Sequence, residues 1–357
     1  MSEVATLSLS NLIATAYSMR ATDVHISVGC RPVFRIDGKL VPQKNYPVMT
    51  KDMIMDLLRN LFTQLRIDPS KKKEWDFSFT VGDAIRVRGN FFYERRNPAV
   101  AFRLIPKKIR TFEELGLPEI LKDFASSKYG LILVAGPTGS GKSTTLAAMI
   151  DYINENNPCH IITIEDPIEY VFTNKQSIIH QRELGQDTES FLDGLKYALR
   201  QDPDVILVGE MRDLDTMALA LTAAETGHLV LSTVHTNSAA SAPERIIDVF
   251  PAHQQKQIAI QLANTLIAVI YQRLLPKATG MGFTPILEIM VGTPAVKNLI
   301  RENKLHQLES VIQASAKHGM ILFDDALISA YMKGLITKET ALEFARNPEE
   351  VKRRIGF

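Results

Sequence analysis

Gly136, Pro137, Thr138, Gly139, Ser140, Gly141, Lys142 and Ser143 follow one another in a spacing suited to gripping a polyphosphate. The glycines let backbone N–H groups turn inward around a β-phosphate, at the positive end of the helix that follows. Lys142 then reaches the β- and γ-phosphates, and the Ser143 hydroxyl is placed to meet Mg2+. Thr144 follows in the same turn and belongs with the nucleotide contacts. The apolar run 130–135 reads as a buried strand entering the loop, and 143–153 as a helix leaving it. A nucleoside triphosphate is the implied ligand.

Phosphoryl transfer to water also needs a carboxylate for the water and an acid for the metal. Buried runs at 131–135, 161–164, 205–208 and 229–234 alternate with helical segments, the pattern of an α/β fold with a largely parallel sheet. Ligands of such sheets lie beyond the carboxyl ends of the strands. Each run here ends in a chemically capable group: the phosphate loop, Glu165, Glu210 just after Gly209, and His235. Glu165 fits the base and Glu210 the metal-holding acid. An isolated glutamate at a strand end more often caps a helix or pairs with an arginine, but a phosphate loop on the same edge reverses that preference. His235 is positioned for the γ-phosphate or a water beside it. His228 either shares that work or closes the preceding helix near its C-terminal dipole.

Upstream, a helix with Leu9, Leu12, Ile13, Ala16 and Tyr17 on one face precedes strands at 24–28, 33–36 and 39–41, with a tight turn at Asp37-Gly38. A helix over 52–66 and strands at 77–81, 84–93 and 99–105 complete a small α+β domain. Arg86, Arg88, Arg95, Arg96 and Arg103 crowd into its last strands, and alternation puts Arg86 and Arg88 on one face. That face is either a solvated surface or a source of arginine delivered in trans to transition-state charge. The Pro-marked segment 106–111 divides the chain, giving domains at 1–106 and 117–357 with a linker over 107–116. Beyond residue 250 the spacing predicts helices over 252–275, 294–302, 304–314, 321–333 and 337–345; residues 348–357 either pack or form a mobile tail.

The 357 residues suffice for two cores, and 45% hydrophobic with 23% charged residues is ordinary for a soluble protein. No apolar run approaches the ~18 residues of a membrane span, and the N-terminus lacks the pattern of a signal peptide. Cys30 and Cys159 are too few for a disulfide framework or a four-cysteine zinc site, so zinc is not expected and a reducing cytoplasm is. A net charge of +1 disfavours nucleic acid as partner, and Lys71-Lys72-Lys73 reads as a solvated loop.

Taken together, these motifs resemble the type IV pilus retraction ATPases, the PilT family of secretion-type motor ATPases. Residues 162–170 are similar to the family's Asp box, 199–213 to its Walker B region, 221–236 to its His box and 22–40 to its PAS-like N-terminal domain. Residues 180–191 and 245–251 are similar as well. The resemblance implies a RecA-like P-loop core with a PAS-like domain before it and a helical C-terminal extension. It implies an ATP- and Mg2+-using homohexamer in the cytoplasm, peripheral to the inner membrane through the pilus machine. The inner-membrane pilus platform protein is the implied partner, with other pilus motor ATPases as further candidates. Carried across motif by motif, Glu165 becomes the catalytic base, Glu210 a Mg2+ holder, and Arg88 and Arg103 arginine fingers.

Residues 232–237 are closer to the His-box ending of extension and secretion ATPases, Lys297 replaces a family arginine, and 319–324 depart from the family segment. A pilus-extension or type II secretion ATPase and an accessory retraction motor are therefore the nearest alternatives. Against the first, no cysteine follows Cys159 where those proteins carry a zinc module. A nucleotide-gated scaffold and a DNA-translocating ring are the rivals from other classes.

Overall fold

The computed structural model describes residues 7–356 except 37, 83, 84, 106 and 107. Asp37 of the expected turn, the start of the strand expected at 84, and Pro106 and Lys107 of the expected boundary lie outside the described residues. The chain divides into two compact units, residues 1–108 with 169–171, and residues 109–168 with 172–357.

In the first unit, Ser8 accepts from the Asn11 amide to cap α1 (Leu9–Ser18), which buries Leu12, Ile13 and Ala16. Three short strands follow, β1 (Asp23–Ser27), β2 (Val33–Ile36) and β3 (Lys39–Pro42). Thr50 caps α2 (Lys51–Gln64), whose apolar stripe is Ile54, Leu57, Leu58, Leu61 and Phe62. The unit closes with β4 (Glu74–Val81), β5 (Ile85–Glu94) and β6 (Asn97–Ile105). The six strands form one sheet in the order β3-β2-β1-β6-β5-β4, every pair antiparallel. Val24, Ile26, Phe34, Val87, Phe91, Val100 and Phe102 pack with the apolar stripes of α1 and α2. Alternation therefore sends Arg86 and Arg88 to the opposite face of β5, between the buried Ile85, Val87 and Gly89.

The second unit begins with α3 (Phe112–Leu115), held by a reciprocal capping box between Thr111 and Glu114. Most of the connection read from the sequence as linker is thus ordered, with Phe112 buried. Then come α4 (Ile120–Ala125), β7 (Gly130–Ala135), α5 (Lys142–Asn156), β8 (His160–Glu165), β9 (Ile178–Glu183), α6 (Phe191–Ala198), β10 (Val205–Val208), α7 (Leu214–Glu225) and β11 (Leu229–Val234). They continue into α8 (Ala242–Asp248), α9 (Ala252–Thr265), β12 (Leu266–Pro276), β13 (Phe283–Val291), α10 (Pro294–Arg301), α11 (Leu308–Ala314), α12 (Phe323–Met332), α13 (Lys338–Phe344) and α14 (Pro348–Ile355). The sheet order is β13-β12-β7-β11-β10-β8-β9, parallel throughout except for the antiparallel β13. β7, β10 and β11 are buried along their whole length, as strands covered on both faces must be.

Residues 252–275 are not one helix. α9 stops at Thr265 and the chain continues as β12, wedged between β7 and β13. A continuous apolar run has no period that separates a doubly buried strand from a buried helix. Its Ile267, Val269, Ile270 and Tyr271 favour the strand. β9, outside the runs read from sequence, adds an edge strand parallel to β8. The C-terminal segment packs: Asn347 caps α14, and Val351 and Ile355 are buried against Ile328.

Candidate functional site

Because β7, β11, β10 and β8 are parallel neighbours, their carboxyl ends share one edge of the sheet. The phosphate loop, His235, Glu210 and Glu165 follow those four ends in that spatial order. The edge is stitched together: Gly209 donates its amide to the Ile164 carbonyl at 2.8 Å, and the Thr233 hydroxyl donates to the Gly209 carbonyl at 2.7 Å.

The loop needs glycine at two places for reasons of space as well as conformation. Gly136 has φ 142°, and a Cβ there would stand 2.4 Å from the Gln272 carbonyl oxygen. Gly141 has φ 86°, with the Gln272 Nε2 2.8 Å from where its Cβ would be. Lys142 folds over the loop, its Nζ donating to the carbonyls of Gly136 and Pro137, each at 2.9 Å. Ser143 and Thr144, half-buried, open α5. A cavity of about 610 Å3 lies beside that turn, lined among others by Arg110, Leu117, Gly141, Thr144, Gln272 and Leu274.

Glu165 is 9% exposed, and its Oε1 accepts from the Thr163 hydroxyl at 2.6 Å and from Gln181 Nε2 at 3.1 Å. Those two donors fix the carboxylate's direction. Glu210 pairs with Arg212, Oε1 to Nε at 2.6 Å, and its Oε2 lies 3.9 Å from His235 Nε2. The pairing with a neighbouring arginine and the placement at the sheet edge thus coexist at Glu210. Although its side chain is 52% exposed, partial desolvation by its neighbours, followed by the positive charge of Lys142 and then Arg212, lowers the His235 pKa below its ordinary value, with Glu210 pulling the other way. His235 is therefore neutral near pH 7.

His228 is not brought to the phosphate loop. It precedes β11, so the strand direction puts it at the opposite edge of the sheet, where its carbonyl accepts from the Gly130 amide at 3.0 Å. Its Nδ1 lies 2.9 Å from the Ala223 carbonyl, closing the end of α7. That is the helix-closing alternative, and the nucleotide contact expected of His228 is corrected accordingly.

Arg88 and Arg103 belong to the other unit, where they face each other directly across β5 and β6. Two like charges opposite one another are unfavourable in a sheet without an anion. Arg103 Nε is 2.9 Å from Asp23 Oδ1, and Arg35 Nε is 3.6 Å from the same carboxylate's Oδ2. Arg88 is exposed, and Arg86 donates to the Ser78 hydroxyl at 2.6 Å.

Gln272 escaped the sequence reading. It is 2% exposed on β12, donates through Nε2 to the Ser140 carbonyl at 2.7 Å, and accepts from the Thr145 hydroxyl at 2.7 Å. A lone amide inside the apolar run 266–275 was the available signal. Thr163 and Gln181, which orient Glu165, carry no such mark in the sequence.

The family model described as type II/IV secretion system protein matches residues 2–342. The chain is 46% identical to the type IV pilus retraction ATPase PilT of Pseudomonas aeruginosa over 344 residues, covering 96% of this chain and 99% of that protein. It is 41% identical to the type IV pilus ATPase PilU of the same organism, covering 93% of this chain and 87% of that one. The crystal structure of a pilus retraction motor PilT with bound ADP superposes with a TM-score of 0.91 at 46% identity, covering 98% of this chain and all of the other. A phosphate loop, two glutamates and a histidine at adjacent strand ends, on a chain matched almost end to end, place this protein in the type II/IV secretion system protein family.

Proposed function

We propose that this chain is an ATP-hydrolysing motor that drives type IV pilus retraction. The observation that carries the reading is the succession of Lys142, His235, Glu210 and Glu165 along one sheet edge, in a chain similar over 96% of its length to a pilus retraction ATPase. Backbone N–H groups of the phosphate loop, Pro137 excepted, and the Lys142 ammonium hold the phosphates. Glu165, aimed by Thr163 and Gln181, takes the proton of the attacking water. His235, neutral at working pH, accepts or donates a hydrogen bond at the γ-phosphate or at the water beside it.

Ser143 and Glu210 would hold Mg2+. The fit is chemical: a hydroxyl and a single carboxylate are hard oxygen donors, which suits an ion that keeps most of its waters and leans on substrate phosphates. Bound there, the ion would neutralise charge on the phosphates.

Arg88 and Arg103 serve as arginine fingers delivered from a neighbouring subunit, as the homohexamer expected of this family would allow. The proposed domains are a PAS-like domain over 1–106, a linker at 107–116 and an ATPase domain over 117–357, with residues 109–116 and their α3 grouped with the second compact unit. Hydrolysis turns one domain against the other and works on the inner-membrane pilus platform protein at the cytoplasmic face. The 41% identity to a second type IV pilus ATPase, PilU, favours one second reading, an accessory retraction motor.

Two measurements test this. Deleting the gene should leave many static fibres and no surface motility; loss of all fibres would assign extension instead. Light scattering of purified protein with nucleotide should give hexamers, and a strict monomer at micromolar concentration would remove delivery in trans.

A further inference from the structure

Glu288 is the most deeply buried acid among the described residues, at 0% exposure on β13. Its Oε2 lies 2.5 Å from Arg346 Nη2. Burying such a pair costs about as much in desolvation as it returns, and apolar replacements are often as stable. What the pair touches is more informative. Glu288 Oε1 accepts the Ala239 amide at 3.0 Å, and Arg346 Nη2 donates to the Asn237 carbonyl at 2.8 Å. Both contacts clamp the loop that begins at His235. The loop is closed on itself as well, the Thr236 hydroxyl donating to the Ser238 carbonyl at 2.9 Å and the Ser238 hydroxyl to that of Ser241 at 2.8 Å. His235 is therefore the first residue of a stiff turn held from behind.

Arg346 is itself fixed. Its guanidinium lies over the rings of Tyr271 and Phe323, 5.4 and 5.5 Å from their centroids. The amides of Arg346 and Asn347 donate to the two carboxylate oxygens of Asp324, at 2.9 and 2.8 Å, in the first turn of α12. Tyr271 stands directly opposite Glu288 across β12 and β13, one residue from Gln272. The same hairpin that braces the phosphate loop thus braces the His235 loop.

We infer that Glu288 and Arg346 are positioning residues for His235, setting its ring at the nucleotide site and tying that placement to α12 and the α13–α14 junction. The inference rests on the reading of this site as an ATP hydrolase. In purified full-length protein, Arg346→Met should lower kcat for ATP by about ten- to a hundredfold, the upper end being the cost of misplacing a contact group by an ångström. Affinity for a fluorescent ADP analogue should stay within about twofold, since ADP lacks the phosphate that His235 faces. Added to His235→Ala, Arg346→Met should cost nothing further, because it acts through that ring. Should Arg346→Met fail to fold, Arg346→Lys, which keeps the charge opposite Glu288, takes its place; its kcat should fall in the same way, as the planar stack and second donor are lost. Wild-type kcat in these folded variants, or losses that multiply with His235→Ala, would overturn the assignment. Absence of ATP turnover in the wild-type protein would sink the functional reading instead, so the two failures are distinguishable.

Discussion

Gln272 and Ser140, 132 positions apart in the chain, are joined by a 2.7 Å hydrogen bond from the amide Nε2 to the loop carbonyl. The same side chain accepts from Thr145 at 2.7 Å, so one buried amide spans the phosphate loop and the first turn of α5. Gln272→Leu would leave the Thr145 hydroxyl and the Ser140 carbonyl buried without that partner. Each such group costs about 1–3 kcal/mol. Urea denaturation should therefore report a loss of several kcal/mol together with weaker ADP binding. A variant as stable as the parent, with unchanged affinity, would show that the loop keeps its shape without the brace.

The parts of the site that lie at strand ends were legible because chemistry and topology coincide there. Glycines 136, 139 and 141, Lys142, Glu165, Glu210 and His235 all follow short apolar runs that alternate with helical segments, the pattern of buried parallel strands. Gln272 and Glu288 were not legible, since the run that carries Gln272 reads equally well as the end of a helix, and no motif marks Glu288. His228 failed for a different reason. Its proximity in sequence to His235 suggested a shared task, but a six-residue strand separates them and sends them to opposite edges. Four of the central parallel strands were legible from apolar runs, while β12 and β9 were not; which neighbour a polar side chain finds across the sheet depends on strand order, which local sequence does not contain.

Lys142 and Glu165 should separate binding from chemistry. Lys142→Ala removes the cation that faces the phosphates, so nucleotide affinity and turnover should both collapse. Glu165→Gln keeps the acceptor for Thr163 and Gln181 but removes the base, so ATP should bind with near-parental affinity while kcat falls by about 10²–10⁴. Titration of a fluorescent ATP analogue alongside a phosphate-release assay distinguishes the two patterns. Near-normal turnover in the Glu165 variant would return that role to another group.

The lowered pKa of His235 has a definite sign in both stability and titration. Partial desolvation of the half-exposed ring is its main cause and Lys142 the next, with Arg212 adding to them and Glu210 opposing. Below the ordinary value of 6.5 the unfolded chain takes up a proton that the folded protein resists. His235 therefore removes stability as pH falls from 6.5 toward its depressed folded value, and it has no effect above that window. NMR titration of the nucleotide-free imidazole should give a midpoint under 6.5, and Lys142→Met should move that midpoint upward. A midpoint that ignores the Lys142 substitution would contradict the closeness of the two groups at the sheet edge.

Arg88 directly opposes Arg103 across β5 and β6, and only the second has a described carboxylate beside it, Asp23. Two guanidiniums side by side form a ready seat for a multiply charged anion. If that anion is the triphosphate of a neighbouring subunit, Arg88→Ala should hydrolyse ATP poorly by itself. Its own Lys142 and Glu165 remain intact, so it should recover turnover when mixed into rings with Glu165→Ala subunits, which still carry Arg88. Subunit exchange is checked beforehand by energy transfer between labelled wild-type rings. With exchange established, recovery of phosphate release in the mixture places the arginine and the base on different subunits. A mixture no more active than its two components would confine the Arg88 contribution to its own chain.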